Sequence, residues 1–365
     1  MPATIGVGVI GVAPGRSWAA IAHIPALRAL PGFEVRALST TRMESAQAAA
    51  EEFGVPQAFD NHEDLVRAPG VDLVAVTVKV PHHRELVLAA LNAGKHVYCE
   101  WPLGNGLAEA EEMAALARAK GVQAVVGLQA RTAPVMGYVR DLIAEGYVGR
   151  VLSTTLIGSG MNWGGMIDPP NAYTADRANG ATMLSIPFGH TIDAVCQALG
   201  EFTEVEAILA NRRTSFTLVP DNVEKPMTAH DQVLVQGVLG DGITASIHYR
   251  GGMPRGTGLL WEINGTEGDL QVTSIGGHAQ LLPLSLSGAR GDAQALAPME
   301  VPAKYLSTTT EPNPVVQNVA QVYALIADDI ANGTHKAPTF EDAVRRHRLL
   351  AAVERAAATG QRQTL

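Results

Sequence analysis

The sequence predicts an α/β protein of two domains. Residues 1–130 read as a doubly wound parallel sheet, and residues 131–365 as an α+β domain with an open, mostly antiparallel sheet. Three observations carry this prediction. The chain has 365 residues, and a single core seldom grows past roughly 250–300. From Thr4 to about Gln129, apolar runs without polar alternation are spaced by amphipathic stretches, the pattern of strands covered on both faces. Beyond residue 150 the runs change to a period of two, joined by turn signals, as in an antiparallel sheet with one exposed face.

The elements follow in order. IGVGVIGV (5–12), FEVRALS (33–39), VDLVAVTV (71–78), HVYCEW (96–101) and VQAVVGLQ (122–129) are the strands of the first domain. Between them lie helices around WAAIAHIPALRAL, RMESAQAAAEEFG, HHRELVLAALNAG and GLAEAEEMAALARAKG, each a stretch of helical periodicity between the strand runs. One further helix, APVMGYVRDLIAEGYVG, leads into the second domain. Its strands are RVLSTTLIGSG, FTEVEAILANRR, HDQVLVQGVLG, GITASIHYRGG, GLLWEINGTEGDLQVTS and HAQLLPL, with turns at Gly240–Gly242 and Gly265–Gly268. Two helices, 313–333 and 339–360, close the chain.

Composition narrows the function. The net charge is −9 without a basic cluster, which argues against a nucleic-acid footprint. Two cysteines are too few for a disulfide framework and suit buried thiols in a reducing cytoplasm. No Cys/His cluster suggests a metal. The first residues lack a positive n-region, and no apolar run reaches about 18 residues, so no membrane association is expected.

Candidate site residues cluster at strand ends. Gly11 opens a turn, Gly11–Trp18, whose free amides could take a pyrophosphate, although the spacing is not G-x-G-x-x-G and a plain strand-to-helix turn would look the same. The second strand ends in Ser39, Thr40 and Arg42 with no acidic residue to accept from a ribose 2′-hydroxyl. That set suits a 2′-phosphate, hence NADP with NAD possible, unless Ser39 and Thr40 only cap the next helix. Val78 and Lys79 end the third strand run, where Lys79 faces a cofactor or is an ordinary solvated lysine. His83 follows, as a contact or as a group orienting its helix. His190 and Asp193 stand at the start of an apolar helix, His190 as a proton-transfer group or the two satisfying each other.

The stretches ALRALPGFEVRAL, VDLVAVTVKVPHHRELVLAALNAGKHVYCEWPL, VVGLQAR, LIAEGYVGRVLS, FGHTIDAV and INGTEGDLQV together resemble the glucose-fructose oxidoreductase, inositol dehydrogenase and MocA family over essentially the whole chain. Ser17–Trp18, Glu100–Trp101, LQAR and FGHTID resemble the subgroup of the fungal galactose-pathway repressor, a member that binds NAD(P) without needing to turn it over. The resemblance implies an N-terminal Rossmann domain and a C-terminal domain whose sheet mediates homodimers or homotetramers. It implies hydride exchange between nicotinamide and a hydroxyl or carbonyl of a sugar, cyclitol or small polyol. Ser17, Trp18, Glu100, Trp101 and Gln129 then join the cofactor contacts.

In that family a Lys in E-K-P and an Asp-x-x-x-His pair handle the proton. Here Glu100 and Pro102 match, Trp101 replaces the Lys, His190 matches the His, and Ile186 stands where the Asp would be. Either His190 works alone with Lys79, Tyr249 or another group supplying the missing charge, or the pocket binds without reacting, or the cofactor assists glycoside cleavage. Trp101 would stack beside the nicotinamide or fill a gap beneath it. Trp101, Trp163, Arg131, His190 and Asp193 are the expected substrate contacts, with Trp163 on a Gly-rich lid (SGMNWGGM) or in the core.

Overall fold

The computed structural model describes residues 4–15, 17–306 and 313–365, so Arg16 of the first turn lies outside the described residues. The chain divides into two compact units: residues up to 129 with those from 313 to 345, and residues 130–306 with 346–365.

The first unit holds six parallel strands: β1 (Ile5–Ile10), β2 (Phe33–Ser39), β3 (Gln57–Phe59), β4 (Leu73–Val76), β5 (His96–Glu100) and β6 (Ala124–Gly127). Its helices are α1 (Ile24–Arg28), α2 (Met43–Phe53), α3 (His62–Arg67), α4 (His83–Asn92) and α5 (Leu107–Lys120), with a π-type turn, Ala19–His23, leading into α1. Strand order is β3-β2-β1-β4-β5-β6, so the direction of winding reverses between β1 and β4, the place where such sheets open a crevice at their carboxyl edge. β4 is buried at every residue, as its unbroken apolar run requires. β3 has no legible sequence signal because it is three half-buried residues on the sheet edge.

The sequence expectation put all of 131–365 in the second domain. Instead the helix α8 (Pro314–Asn332; α6 and α7 are given below) packs with the first sheet, burying Val319, Val322, Tyr323 and Ile326 in one core with Val7, Val9, Leu27 and Leu38. Its amphipathic period shows that a face must be buried, but not against which sheet. Asn313 caps it by accepting from the Val315 amide, with Pro314 at the first helical position.

The second unit opens with α6 (Pro134–Ala144) and α7 (Gly189–Leu199). Nine strands form its sheet in the order β17-β16-β15-β14-β7-β13-β12-β9-β18. They are β7 (Val151–Ser159), β9 (Phe202–Ala210), β12 (Gln232–Leu239), β13 (Ile243–Arg250), β14 (Leu259–Gly265), β15 (Gly268–Ser274), β16 (Ser285–Arg290), β17 (Ala297–Met299) and β18 (Gln363–Thr364). Only the β7–β13 pairing is parallel. A small separate sheet joins β8 (Met166–Ile167), β10 (Ser215–Leu218) and β11 (Val223–Pro226). The last helix is α9 (Phe340–Thr359).

HAQLLPL, expected as a strand, is a turn: the Leu281 and Leu282 amides both donate to the His278 carbonyl. The polar partners of His278 and Gln280 override the apolar run. Among the described residues no helix is long and apolar enough to cross a membrane, and no group of His, Cys, Asp or Glu is placed to hold a metal ion.

Candidate functional site

A cleft of about 570 Å³ lies over the carboxyl ends of β1, β2 and β4. It gathers Gly11, Ser39, Thr40, Arg42 and Val78 of the expected set, and adds Ser45, Asp60, Asn61, His62, Glu85 and Leu86. Gly11 has φ +100°, and a Cβ there would stand 2.6 Å from a Val78 methyl, so only glycine lets the turn pass under the third loop. The cradle therefore fits a dinucleotide approaching backbone amides.

Two of the expected contacts are partly committed elsewhere. The Ser17 hydroxyl accepts from the Ala13 amide (2.8 Å) and donates to the Ala13 carbonyl (2.9 Å), which closes the Gly11 turn. Thr40 bonds the Arg42 carbonyl and the Ser45 hydroxyl beside the start of α2, whose N-cap is Arg42 with no side-chain cap, so Thr40 does not cap the helix. Lys79 is exposed just beyond β4 and does not line the cleft.

At the end of β5, Glu100 sits in a buried polar network. His23 bonds one of its oxygens at 2.7 Å, and the Gln129 amide donates to both at 2.8 and 2.9 Å. On the far side of the imidazole is the Tyr323 hydroxyl (2.8 Å), and Gln129 also donates to Tyr98 (3.2 Å). Burial alone would raise the Glu100 pKa; the bond and charge of His23, with Gln129 and Trp18, outweigh it and hold the carboxyl below its usual range. Gln129, Ser17 and Glu100 thus serve internal bonds first, a sharper role than the cofactor contacts expected of them. Trp18 packs its edge toward His23 at 6.4 Å.

Gly127 makes room for this network. A Cβ at that position would stand 2.6 Å from Glu100 Oε2 and 2.8 Å from Gln129 Nε2. Gly127→Ala is therefore expected to lower stability by about 1–3 kcal/mol through overpacking, read from the urea midpoint.

Trp101, the residue after that strand, is buried at 5% exposure. His83, expected as a cofactor contact, lies outside the cleft lining, and its two nitrogens face the Pro102 carbonyl (2.8 Å) and the Val78 carbonyl (2.9 Å). It ties the Trp101–Pro102 segment to the end of β4. Burial lowers its pKa more than the two carbonyls raise it.

In the second unit, His190 occupies the first turn of α7 and is buried. Asp193 does not pair with it. Arg131 holds both Asp193 oxygens at 2.6 Å, and Arg346 Nε reaches Oδ1 at 3.3 Å. Arg346 also donates to Glu201 (2.8 Å) and to the Cys196 sulfur (3.1 Å), while burial pushes that thiol up to about 12. Arg131 and Asp193, expected to meet substrate, are thus engaged with each other because their charges are buried together.

Trp163 is 1% exposed, donates its indole N–H to the Thr174 carbonyl (2.8 Å), and stacks on His278 at 6.5 Å and 13°. The Gly-rich stretch is thereby pinned, and the indole fills core in place of the expected lid and substrate face. The Tyr249 hydroxyl is buried and donates to the Gly277 carbonyl (2.9 Å), which removes it as a source of the missing charge. No sequence signal marked His23, Tyr323 or Arg346, whose partners lie far away in the chain, nor Asp60, which follows a strand of three residues.

The fold and cleft define a nucleotide-binding oxidoreductase scaffold, and comparison with known proteins places it. The chain belongs to the oxidoreductase family with an NAD-binding Rossmann fold, whose profile matches residues 5–128. Residues 134–274 match the C-terminal domain of Gal80p. The chain is 30% identical to dehydrogenase aclE of Aspergillus oryzae, over 90% of its own length and 88% of that protein's. It is 29% identical to 1,5-anhydro-D-fructose reductase of Ensifer adhaerens, over 97% and 96%. A super-repressor mutant of Gal80p from Saccharomyces cerevisiae superposes with a TM-score of 0.90 at 26% identity, covering 99% and 98%. Against the galactose/lactose regulatory protein of Kluyveromyces lactis the chain spans 66% of the relative's length.

Proposed function

We propose that this protein is an NAD(P)-dependent oxidoreductase acting on a hydroxyl or carbonyl of a sugar, cyclitol or related small polyol. The cleft at the β1/β4 switch point carries the reading, since it joins a Gly11 turn that only glycine permits to the hydroxyl- and Arg-bearing end of β2. The Gly11–Pro14 turn would hold a pyrophosphate, Ser39, Thr40 and Arg42 the adenosine ribose and its 2′-phosphate, and Val78 and Leu86 the adenine. A bound nicotinamide supplies hydride exchange.

The chain's own part is to place and protonate. His23 and Gln129 hold Glu100 ionised, His83 straps the Trp101–Pro102 segment, and the His190 imidazole moves the proton of the reacting hydroxyl. Lys79 is the candidate for the positive charge that a lysine at position 101 would carry. The nine-stranded sheet, with Leu152 and Ile208 exposed, is the surface proposed for pairing into homodimers or homotetramers. Both buried thiols are free, which suits a cytoplasmic setting.

A panel of sugars and cyclitols with NAD⁺ or NADP⁺, read by nicotinamide absorbance, tests this. Turnover is expected with some member, and His190→Ala should lower kcat by roughly 10²–10⁴. A gain of activity in Trp101→Lys would mean that the native site lacks its base; loss of an existing activity would place Trp101 in a different working mechanism. Trp101 in the lysine position and the Gal80p C-terminal match favour a second reading, a regulator that binds cofactor and sugar without turnover. Tight coenzyme binding with no turnover across the panel selects that reading.

A further inference from the structure

β3 changes what the coenzyme cleft is able to recognise. Its parallel register sets Phe59 beside Ser39, and the Thr40 amide donates to the Phe59 carbonyl at 3.2 Å. The next residue along β3 is Asp60, so it emerges beside the Thr40–Arg42 turn and lines the same cleft as Arg42. Asp60 is exposed, and its Oδ1 accepts from the Asn61 amide group at 3.0 Å. Asn61 in turn caps α3 by accepting from the Asp64 amide at 2.8 Å, which fixes the backbone that presents the carboxylate. Among the described residues lining the cleft, Arg42 is the one Lys or Arg, while Asp60 and Glu85 are acids.

We propose that Asp60 is a specificity-determining residue for the coenzyme: it accepts from the ribose 2′-hydroxyl of NAD(H) and opposes the 2′-phosphate that Arg42 attracts. The acid missing from the end of β2 is supplied by the end of the neighbouring strand. A carboxylate accepts a hydroxyl proton in a strong, charge-assisted bond and repels a phosphate, whereas a guanidinium does the reverse. With both present, the cleft takes both coenzymes, and the balance between Asp60 and Arg42 sets their ratio. This inference rests on the NAD(P)-binding reading given above.

Titration calorimetry of the full chain with NAD⁺ and NADP⁺, and with the fragments 5′-AMP and 2′,5′-ADP, tests it. Asp60→Asn keeps the shape and removes the charge; it should weaken NAD⁺ and 5′-AMP and raise the NADP⁺/NAD⁺ affinity ratio by about tenfold or more, the worth of one hydrogen bond to a charged group. Arg42→Ala should move the same ratio the opposite way. A ratio unchanged within twofold in Asp60→Asn, with nucleotides still bound, overturns the inference and leaves the coenzyme reading standing. No binding of any of the four nucleotides to the unmodified chain overturns the coenzyme reading itself, and this inference with it.

Discussion

Asp193→Ala is expected to cost the protein about 3–5 kcal/mol of unfolding free energy, the range found when one partner of a buried ion pair is removed. Asp193 is fully buried and accepts three bonds from two guanidinium groups, Arg131 and Arg346. Deleting the carboxylate leaves Arg131 without its bidentate partner, and Arg346, at 1% exposure, with only Glu201 and the Cys196 sulfur. The penalty comes from stranding these charges in a low-dielectric interior and exceeds any net gain that the pair itself confers. Equilibrium urea unfolding measures it, as a shift of the midpoint at unchanged slope. Asp193→Asn keeps the volume and some of the bonds, so it should lose less. A shift worth under 1 kcal/mol in Asp193→Ala would falsify the assignment of this cluster as a buried charge pair.

The second large effect is acid sensitivity. Burial pushes His278 and His347 down to about 4. For His278 the hydrogen bonds agree with a neutral ring: Nε2 donates to the Gly160 carbonyl (2.8 Å), and Nδ1 accepts from the Gln280 amide (3.2 Å). A second proton on Nδ1 would face that amide donor. Between about pH 6.5 and 4 the unfolded chain binds protons at these histidines that the folded chain refuses, so stability rises with pH through this window. It is complete above about pH 6.5 and is lost as the pH falls toward 4. Across this window each histidine contributes on the order of 3 kcal/mol. Glu100, held below the usual carboxylate range, adds a loss of the same sign at lower pH. Urea midpoints measured from pH 7.5 to 4.5 should fall steeply, and His347→Gln should flatten the slope by about one proton. A flat profile in the unmodified protein would sink the prediction.

Much of the fold is legible in the residues. The β2 boundaries, Phe33–Ser39, coincide with the stretch that predicted them, because the Pro31–Gly32 turn sets its start and the hydroxyl-bearing Ser39–Thr41 stretch its end. The hairpins β12–β13 and β14–β15 were visible from Gly240–Gly242 and Gly265–Gly268, whose glycines turn the chain between alternating strands. β3, β8 and β11 were not, since two to four residues at a sheet edge bury too little to leave a pattern. The candidate site divides the same way. Gly11, Ser39, Thr40, Arg42 and Val78 lie at ends of strands readable by period, and the structure gathers them in one cleft. Trp163 could be read as a pocket wall or as core, and only its bond to Thr174 and its stacking on His278 assign it to the core.

The sequence by itself determined the class of each domain and the crevice where a ligand belongs. These depend on local periodicity and on residue type, which are properties of neighbours in the chain. The tertiary structure decided which polar groups are already committed: Asp193 to Arg131 and Arg346, Glu100 to His23 and Gln129, the Tyr323 hydroxyl to His23. It also decided that Asp60 lines the same cleft as Arg42 and that α8 returns to the first sheet. Such pairings join residues up to 300 positions apart. They are fixed by which buried charges and apolar faces satisfy one another once the strands have set their register, and no local pattern encodes that choice.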